Sequence, residues 1–177
     1  MTDASVFGSG GEPPDVSVDY LADHRQFIET LARWHHETWS YLSPSTTLAQ
    51  RVERLRGNAR VGQIPTTLVV LQDGRPVGCA SLVSSDLSIR QHLSPWLASV
   101  YVEPALRNKG VGSILVRHAM QEANRLGHDD LYLYTPDRQS FYARLGWCEI
   151  EKCLYRNYPM SVMHYDLTGL SDQPGPA

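Results

Sequence analysis

Only three cysteines, Cys79, Cys148 and Cys153, occur in the 177 residues, and no two of them have the CxxC spacing. An odd number without that spacing speaks against a disulfide framework and against a thiolate zinc site. They read as small core hydrophobes of a chain kept in a reducing compartment. Long apolar runs are missing as well, the longest purely aliphatic one being Leu68-Val69-Val70-Leu71. A membrane-spanning helix needs about 20 apolar residues, so no membrane partner is expected. The N-terminal stretch has neither a basic flank nor an apolar core of signal-peptide type, and a cytoplasmic protein is expected. Positive charge is not in excess: the formal net charge is −3. That argues against nucleic acid or an anionic membrane as the main partner. The P-loop ending Gly-Lys-Ser/Thr is absent. His35-His36-Glu37 does not continue into the zinc-protease pattern, because position 40 is Ser. No metal is expected.

What is present is an ordinary globular composition, 42% hydrophobic and 20% charged, in a length that suits one domain. Residues 1–16, with Gly8-Ser9-Gly10-Gly11-Glu12-Pro13-Pro14, and residues 169–177 read as flexible tails around a domain at 17–168. The spacing of Ile28, Leu31, His35, Trp39 and Leu42 predicts a helix over 23–42, ended by Pro44. A second helix starts at Thr47, with Gln50 as capping-box partner and Leu48, Val52 and Leu55 as its buried stripe. Residues 66–72 and 77–83 read as strands of a hairpin joined at Asp73-Gly74. A strand follows over 95–102. Helical spacing then runs from Val111 to Leu126 and stops at Gly127. A strand over 131–135, a short helix over 137–145 and antiparallel strands over 148–155 and 162–167 close the chain. The expected class is α/β (α+β), with helices flanking a mixed sheet.

The string that carries chemistry runs Val100-Tyr101-Val102-Glu103-Pro104-Ala105-Leu106-Arg107-Asn108-Lys109-Gly110-Val111-Gly112-Ser113. It reads as strand, turn and helix. Free N–H groups at a helix start, with the positive end of the helix dipole, form an anion site. Gly110 and Gly112 let a phosphate approach the backbone, and Arg107 and Lys109 add positive charge. The dinucleotide fingerprint is only half met, since Leu115 stands where its third glycine belongs, and the following strand ends at Thr135 rather than an acidic residue.

Arg107 to Gly112 fits Arg/Gln-x-x-Gly-x-Gly/Ala, and Phe141-Tyr142-Ala143-Arg144-Leu145-Gly146-Trp147 fits aromatic-Tyr-x-x-Leu-Gly-aromatic. In both, and in the order of its elements over about 18–168, the chain resembles the GNAT N-acetyltransferase superfamily, in particular its small bacterial-style members. The resemblance implies a mixed, mostly antiparallel sheet and acetyl-coenzyme A as co-substrate. It implies that backbone groups of Val100 and Val102 pair with the pantetheine arm. N–H groups of Asn108, Lys109, Gly110, Val111, Gly112 and Ser113 would hold the pyrophosphate. Thr135 stands where many members have an asparagine that contacts pantetheine. Tyr142 is implied as the acid that protonates the leaving thiolate. The implied activity is acetyl transfer to a primary amine, on a small molecule or a peptide N-terminus, by direct attack in a ternary complex. A non-catalytic acyl-coenzyme A sensor of the same fold is the rival reading.

One family feature is missing. An acidic residue often lies on the motif strand, but here those places hold Ala98 and Ser99. Glu103, Asp86, His92, Glu37 and water stay open as the base. Trp39 and Tyr41 are candidates for the acceptor pocket. The loop over 84–94 is a candidate acceptor-side loop. Arg51, Arg54, Arg56 and Arg60 read either as a solvated basic face or as contacts to an acidic substrate. The C-terminal strands leave a homodimer open.

Overall fold

The structure, a computed structural model, describes residues 15–172. The outer parts of both expected tails lie outside the described residues. Among these residues seven strands form one sheet: β1 (Ser17–Tyr20), β2 (Thr66–Gln72), β3 (Arg75–Val83), β4 (Trp96–Val102), β5 (Asp130–Thr135), β6 (Cys148–Tyr155) and β7 (Tyr158–Asp166). Their order is β1-β2-β3-β4-β5-β7-β6. Only β4 and β5 run parallel. Among the described residues four α-helices accompany the sheet: α1 (Ile28–Trp39), α2 (Leu48–Asn58), α3 (Val111–Arg125) and α4 (Gln139–Arg144). The expected mixed, mostly antiparallel sheet is what forms.

Both faces of the sheet are covered, and β2 shows how. Leu68 and Val70 pack with Val111, Leu115 and Ala119 of α3. Val69 and Leu71 pack with Leu31 of α1 and Leu55 of α2. Successive side chains of a strand point to opposite faces, so a strand covered on both sides reads as a continuous apolar run. α3 and the α1–α2 pair therefore lie on opposite sides. The β2–β3 hairpin turns through Asp73 (φ +51°) and Gly74 (φ +72°), the left-handed pair that a two-residue hairpin favours.

Several expectations need correction. The first helix begins at Ile28, not Asp23: residues 21–27 form two 3₁₀ turns broken at His24, whose φ of −130° is not helical. β1 escaped the sequence reading because four residues hold too little periodicity. It is placed by pairing with β2 and by Tyr20, whose hydroxyl donates to buried Glu122 of α3 at 2.8 Å. The capping box forms as expected, Thr47 Oγ1 accepting from Gln50 N–H and Gln50 Oε1 from Thr47 N–H. Leu48, however, is 40% exposed, and Arg51, Leu55 and Asn58 take the buried stripe of α2. β7 begins at Tyr158 rather than Val162, joined to β6 through left-handed Arg156 and Asn157. Thr168–Asp172 is a 3₁₀ turn, with Leu170 packed on the main core.

Candidate active site

β4 and β5 share one register pair, Trp96 with Tyr132, and then part. The cause lies in β4. Its register against β3 shifts between Cys79 and Ser81, and Ser99 adopts φ +53°. Such a bulge adds a residue to one strand and bends it. The parted strands border a cleft of about 750 Å³, lined by Leu97–Val102 on one side and Leu133–Thr135 on the other. Glu103 N–H donates back to Val77 of β3. Donor directions alternate along a strand, so the N–H groups of Val102 and Val100 turn away from β3, toward the cleft.

The start of α3 opens into the same cleft. The turn before it needs left-handed backbone at Asn108 (φ +58°) and Gly110 (φ +87°). Asparagine tolerates that conformation and glycine adopts it without strain. Ile114 N–H closes the first helical bond, onto Gly110. The N–H groups of Val111, Gly112 and Ser113 have no helical acceptor. A Cβ on Gly110 would meet no protein atom within 4 Å, so the space beside it is open. A Cβ on Gly112 would stand 3.3 Å from the Phe141 ring, so this glycine serves the packing of α4 on α3.

Arg107 is held in place. Its Nε donates to the Val102 carbonyl at 2.9 Å, and its guanidinium lies over the Tyr101 ring, itself stacked on Trp34. Asn108, Gly110, Gly112 and Ser113 also line the cleft, whereas Lys109 does not. Val111 buries its side chain completely in the core. Thr135 Oγ1 accepts from Arg138 N–H at 3.0 Å, which shapes the turn into α4.

Tyr142 lines the cleft while only 8% exposed. Its ring packs edge-on against Phe141 and Trp147. Among the described residues its hydroxyl has no hydrogen-bond partner. Burial pushes the phenol well above its ordinary pKa, with Arg138 opposing weakly. The hydroxyl is therefore protonated at neutral pH, an unused donor facing the cleft.

The far end of the cleft is built from the C-terminal part of α1, the segment after it, α2 and the loop after β3. Trp39 and Tyr41, the two candidates for an acceptor pocket, line it. Of the residues left open as bases, Asp86 lines the cleft and Glu103, His92 and Glu37 do not. Asp86 is half-buried as a residue, but its carboxyl is desolvated inside the cleft. Desolvation pushes its pKa from 3.8 up to about 6, with Arg54 pulling the other way. His35, behind this end, touches Cys79 Sγ at 3.3 Å. Burial, aided by Arg51 and Arg54, brings its pKa down to about 3, so it is neutral.

Residues 28–147 match the acetyltransferase (GNAT) family. The chain belongs to the GNAT family. The family's acyl donor is acetyl-coenzyme A, and acyl transfer from it is the general activity. Among solved structures, an aminoglycoside 6'-N-acetyltransferase complexed with coenzyme A superposes with TM-score 0.70 at 15% identity, covering 91% of this chain and 99% of the other. An N-acetyltransferase from Staphylococcus aureus Mu50 gives TM-score 0.68 at 16% identity, over 87% and 99% of the two chains. An acyl-CoA N-acyltransferase from Pseudomonas aeruginosa gives 0.59 at 22%, over 85% and 97%. At these identities the likeness establishes the fold. No curated protein matches the sequence significantly.

The GNAT fold thus gathers most of the expected positions around one cleft. Val100, Val102, Arg107, Asn108, Gly110, Gly112, Ser113, Thr135 and Tyr142 line it. Sequence reasoning passed over Arg138 and Tyr134, which also border it. Of the two readings of Arg51, a solvated basic face does not hold for this residue, which is buried and borders the cleft. No helix among the described residues is long and apolar enough to cross a membrane.

Proposed function

We propose that this GNAT protein moves an acetyl group from acetyl-coenzyme A to a primary amine by direct attack within a ternary complex. The observation that carries the reading is one cleft that holds three parts: the free N–H groups at the start of α3, the protonated Tyr142 hydroxyl and the desolvated Asp86 carboxyl. The pyrophosphate of the donor lies against the N–H groups from Asn108 to Ser113, where Gly110 leaves room. The pantetheine arm runs between β4 and β5, bonded to backbone groups of Val100 and Val102, with Thr135 beside it.

Asp86 accepts a proton from the incoming ammonium. A carboxylate with a pKa near 6 is ionised at neutral pH and still basic enough to take that proton in passing. The amine nitrogen then attacks the thioester carbonyl carbon. A C–N bond forms, and the carbonyl oxygen becomes an oxyanion, which accepts from an N–H of β4 turned toward the cleft. As the C–S bond breaks, Tyr142 donates its hydrogen bond to the leaving sulfur and passes on its proton. The nitrogen, left cationic by the attack, loses its remaining extra proton, which restores the Tyr142 phenol, while the proton held by Asp86 returns to solvent.

A non-catalytic acyl-coenzyme A module drew support from the lack of an acid at Ala98 and Ser99. The Asp86 carboxyl in the cleft answers that lack. The test pairs calorimetry with turnover. Acetyl-coenzyme A and desulfo-coenzyme A are expected to bind and NAD is not. Tyr142→Phe is expected to lower kcat by about 100-fold with unchanged donor affinity. Unchanged turnover in Tyr142→Phe removes this residue from the chemistry, and no binding of any coenzyme A species rejects the reading.

A further inference from the structure

Arg51 and Arg54 stand one helical turn apart on α2, and both line the cleft. Arg51 is 7% exposed. Its one hydrogen bond is a long one, from Nη2 to Ser43 Oγ at 3.4 Å, and its buried Nε has no partner. Arg54 forms no ion pair or hydrogen bond among the described residues. Arg56, by contrast, is paired with Glu53 on the outer side of the helix. A buried guanidinium stays charged and is destabilising unless its donors are met. Burial indeed draws the Arg51 pKa down, and Arg54 adds to the effect. No carboxylate among the described residues lies within ion-pair distance of either. The fold thus keeps two unspent positive forks facing a cavity.

We propose that the amine acceptor carries an oxyanion group, a carboxylate or a phosphoryl group, and that Arg51 and Arg54 hold it. This rests on the acetyl-transfer reading above. The anion that these arginines await is not the pyrophosphate of the donor, because α2 and the start of α3 lie on opposite faces of the sheet. Asp86 borders the same end of the cleft and is close enough to Arg54 to feel its charge. A zwitterion fits this arrangement: its ammonium turns to Asp86 and its oxyanion to the two arginines. Neutral His35 behind them adds no competing charge. A planar guanidinium grips either oxyanion with two parallel hydrogen bonds, so the class is set by charge and geometry.

The experiment compares amines that differ only in that charge. α-Amino acids are assayed against their amides, and 2-aminoethylphosphonate against its diethyl ester, with wild type, Arg54→Gln and Arg51→Lys. Wild type is expected to favour the charged member of at least one pair by about 10- to 100-fold in kcat/KM. The pair that shows the preference tells carboxylate from phosphoryl recognition. Arg54→Gln is expected to abolish most of the preference through the KM of the acceptor, and Arg51→Lys to reduce it, with the KM of acetyl-coenzyme A unchanged. Exposed Arg54 can be replaced without disturbing the core, so the test does not hang on a variant that fails to fold. Amides acetylated as well as acids overturn this inference and leave acetyl transfer standing. A raised KM for acetyl-coenzyme A in Arg54→Gln also overturns it, since the arginines then serve the donor. Acetylation of no amine at all removes the underlying reading as well.

Discussion

Asp86→Asn is expected to stabilise the fold at neutral pH while removing the proposed base. The folded protein holds this carboxyl at a pKa of about 6 against an ordinary 3.8. Between those values the folded state binds a proton that the unfolded chain has released, so stability falls as pH rises from about 4 to about 6. Above that window the cost is constant. The gap corresponds to about 3 kcal/mol, or a rise in Tm of roughly 6–12 °C for a chain of this size when the cost is removed. Asparagine carries no charge at any pH. The gain of the variant over wild type should therefore be largest at pH 7.5 and vanish near pH 4. The difference between the two proteins is the proper readout, because His35 imposes the opposite slope. Its folded pKa of about 3 lies below the ordinary 6.5, so its contribution is present above pH 6.5 and is lost as pH falls. Urea unfolding of both proteins at pH 4, 5, 6 and 7.5 measures the difference. The same variant should lose about 100-fold or more in kcat/KM, and the wild-type rate should fall below about pH 6 with the uptake of one proton. A gain that is the same at pH 4 and pH 7.5 would refute the desolvated carboxylate, and full activity in Asp86→Asn would refute its role as base.

Two further outcomes follow from the backbone. Gly110→Ala forces a side chain onto φ +87°, which costs about 1–2 kcal/mol, and aims its methyl at the open space beside the α3 start. Titration calorimetry should show acetyl-coenzyme A binding weakened by about tenfold; unchanged affinity would place the pyrophosphate elsewhere. Thr47→Ala deletes the capping box of α2 and should lower stability by about 1 kcal/mol in denaturant unfolding. Donor affinity should stay as it was, because α2 covers the other face of the sheet.

What the sequence disclosed of the site follows the range of the interactions involved. The α3 start could be read from contiguous residues. Its glycines, its turn and its helix are encoded by φ preferences within a few positions, and Gly110 and Asn108 adopt the left-handed backbone that such a turn needs. Tyr142 was legible for the same reason, inside one seven-residue string. The cleft itself was not. It depends on the bulge that places Ser99 at φ +53°, and serine carries no preference that would announce it. Its position follows from pairing β4 against β3 with a shifted register. Asp86 was one of several equal candidates, because only the packing of the loop after β3 decides which carboxyl loses its water. For Arg51 the sequence leaves a solvated face and an acidic-substrate contact both open, because patterns sort residues by polarity. A guanidinium that faces a cavity breaks that rule at the point where a ligand would restore it. The disagreement between pattern and burial at Arg51 therefore says more about function than the stretches where the two agree. Natural sequences keep such local inconsistencies chiefly where binding repays them. An acceptor with a negative group is the partner that would repay this one.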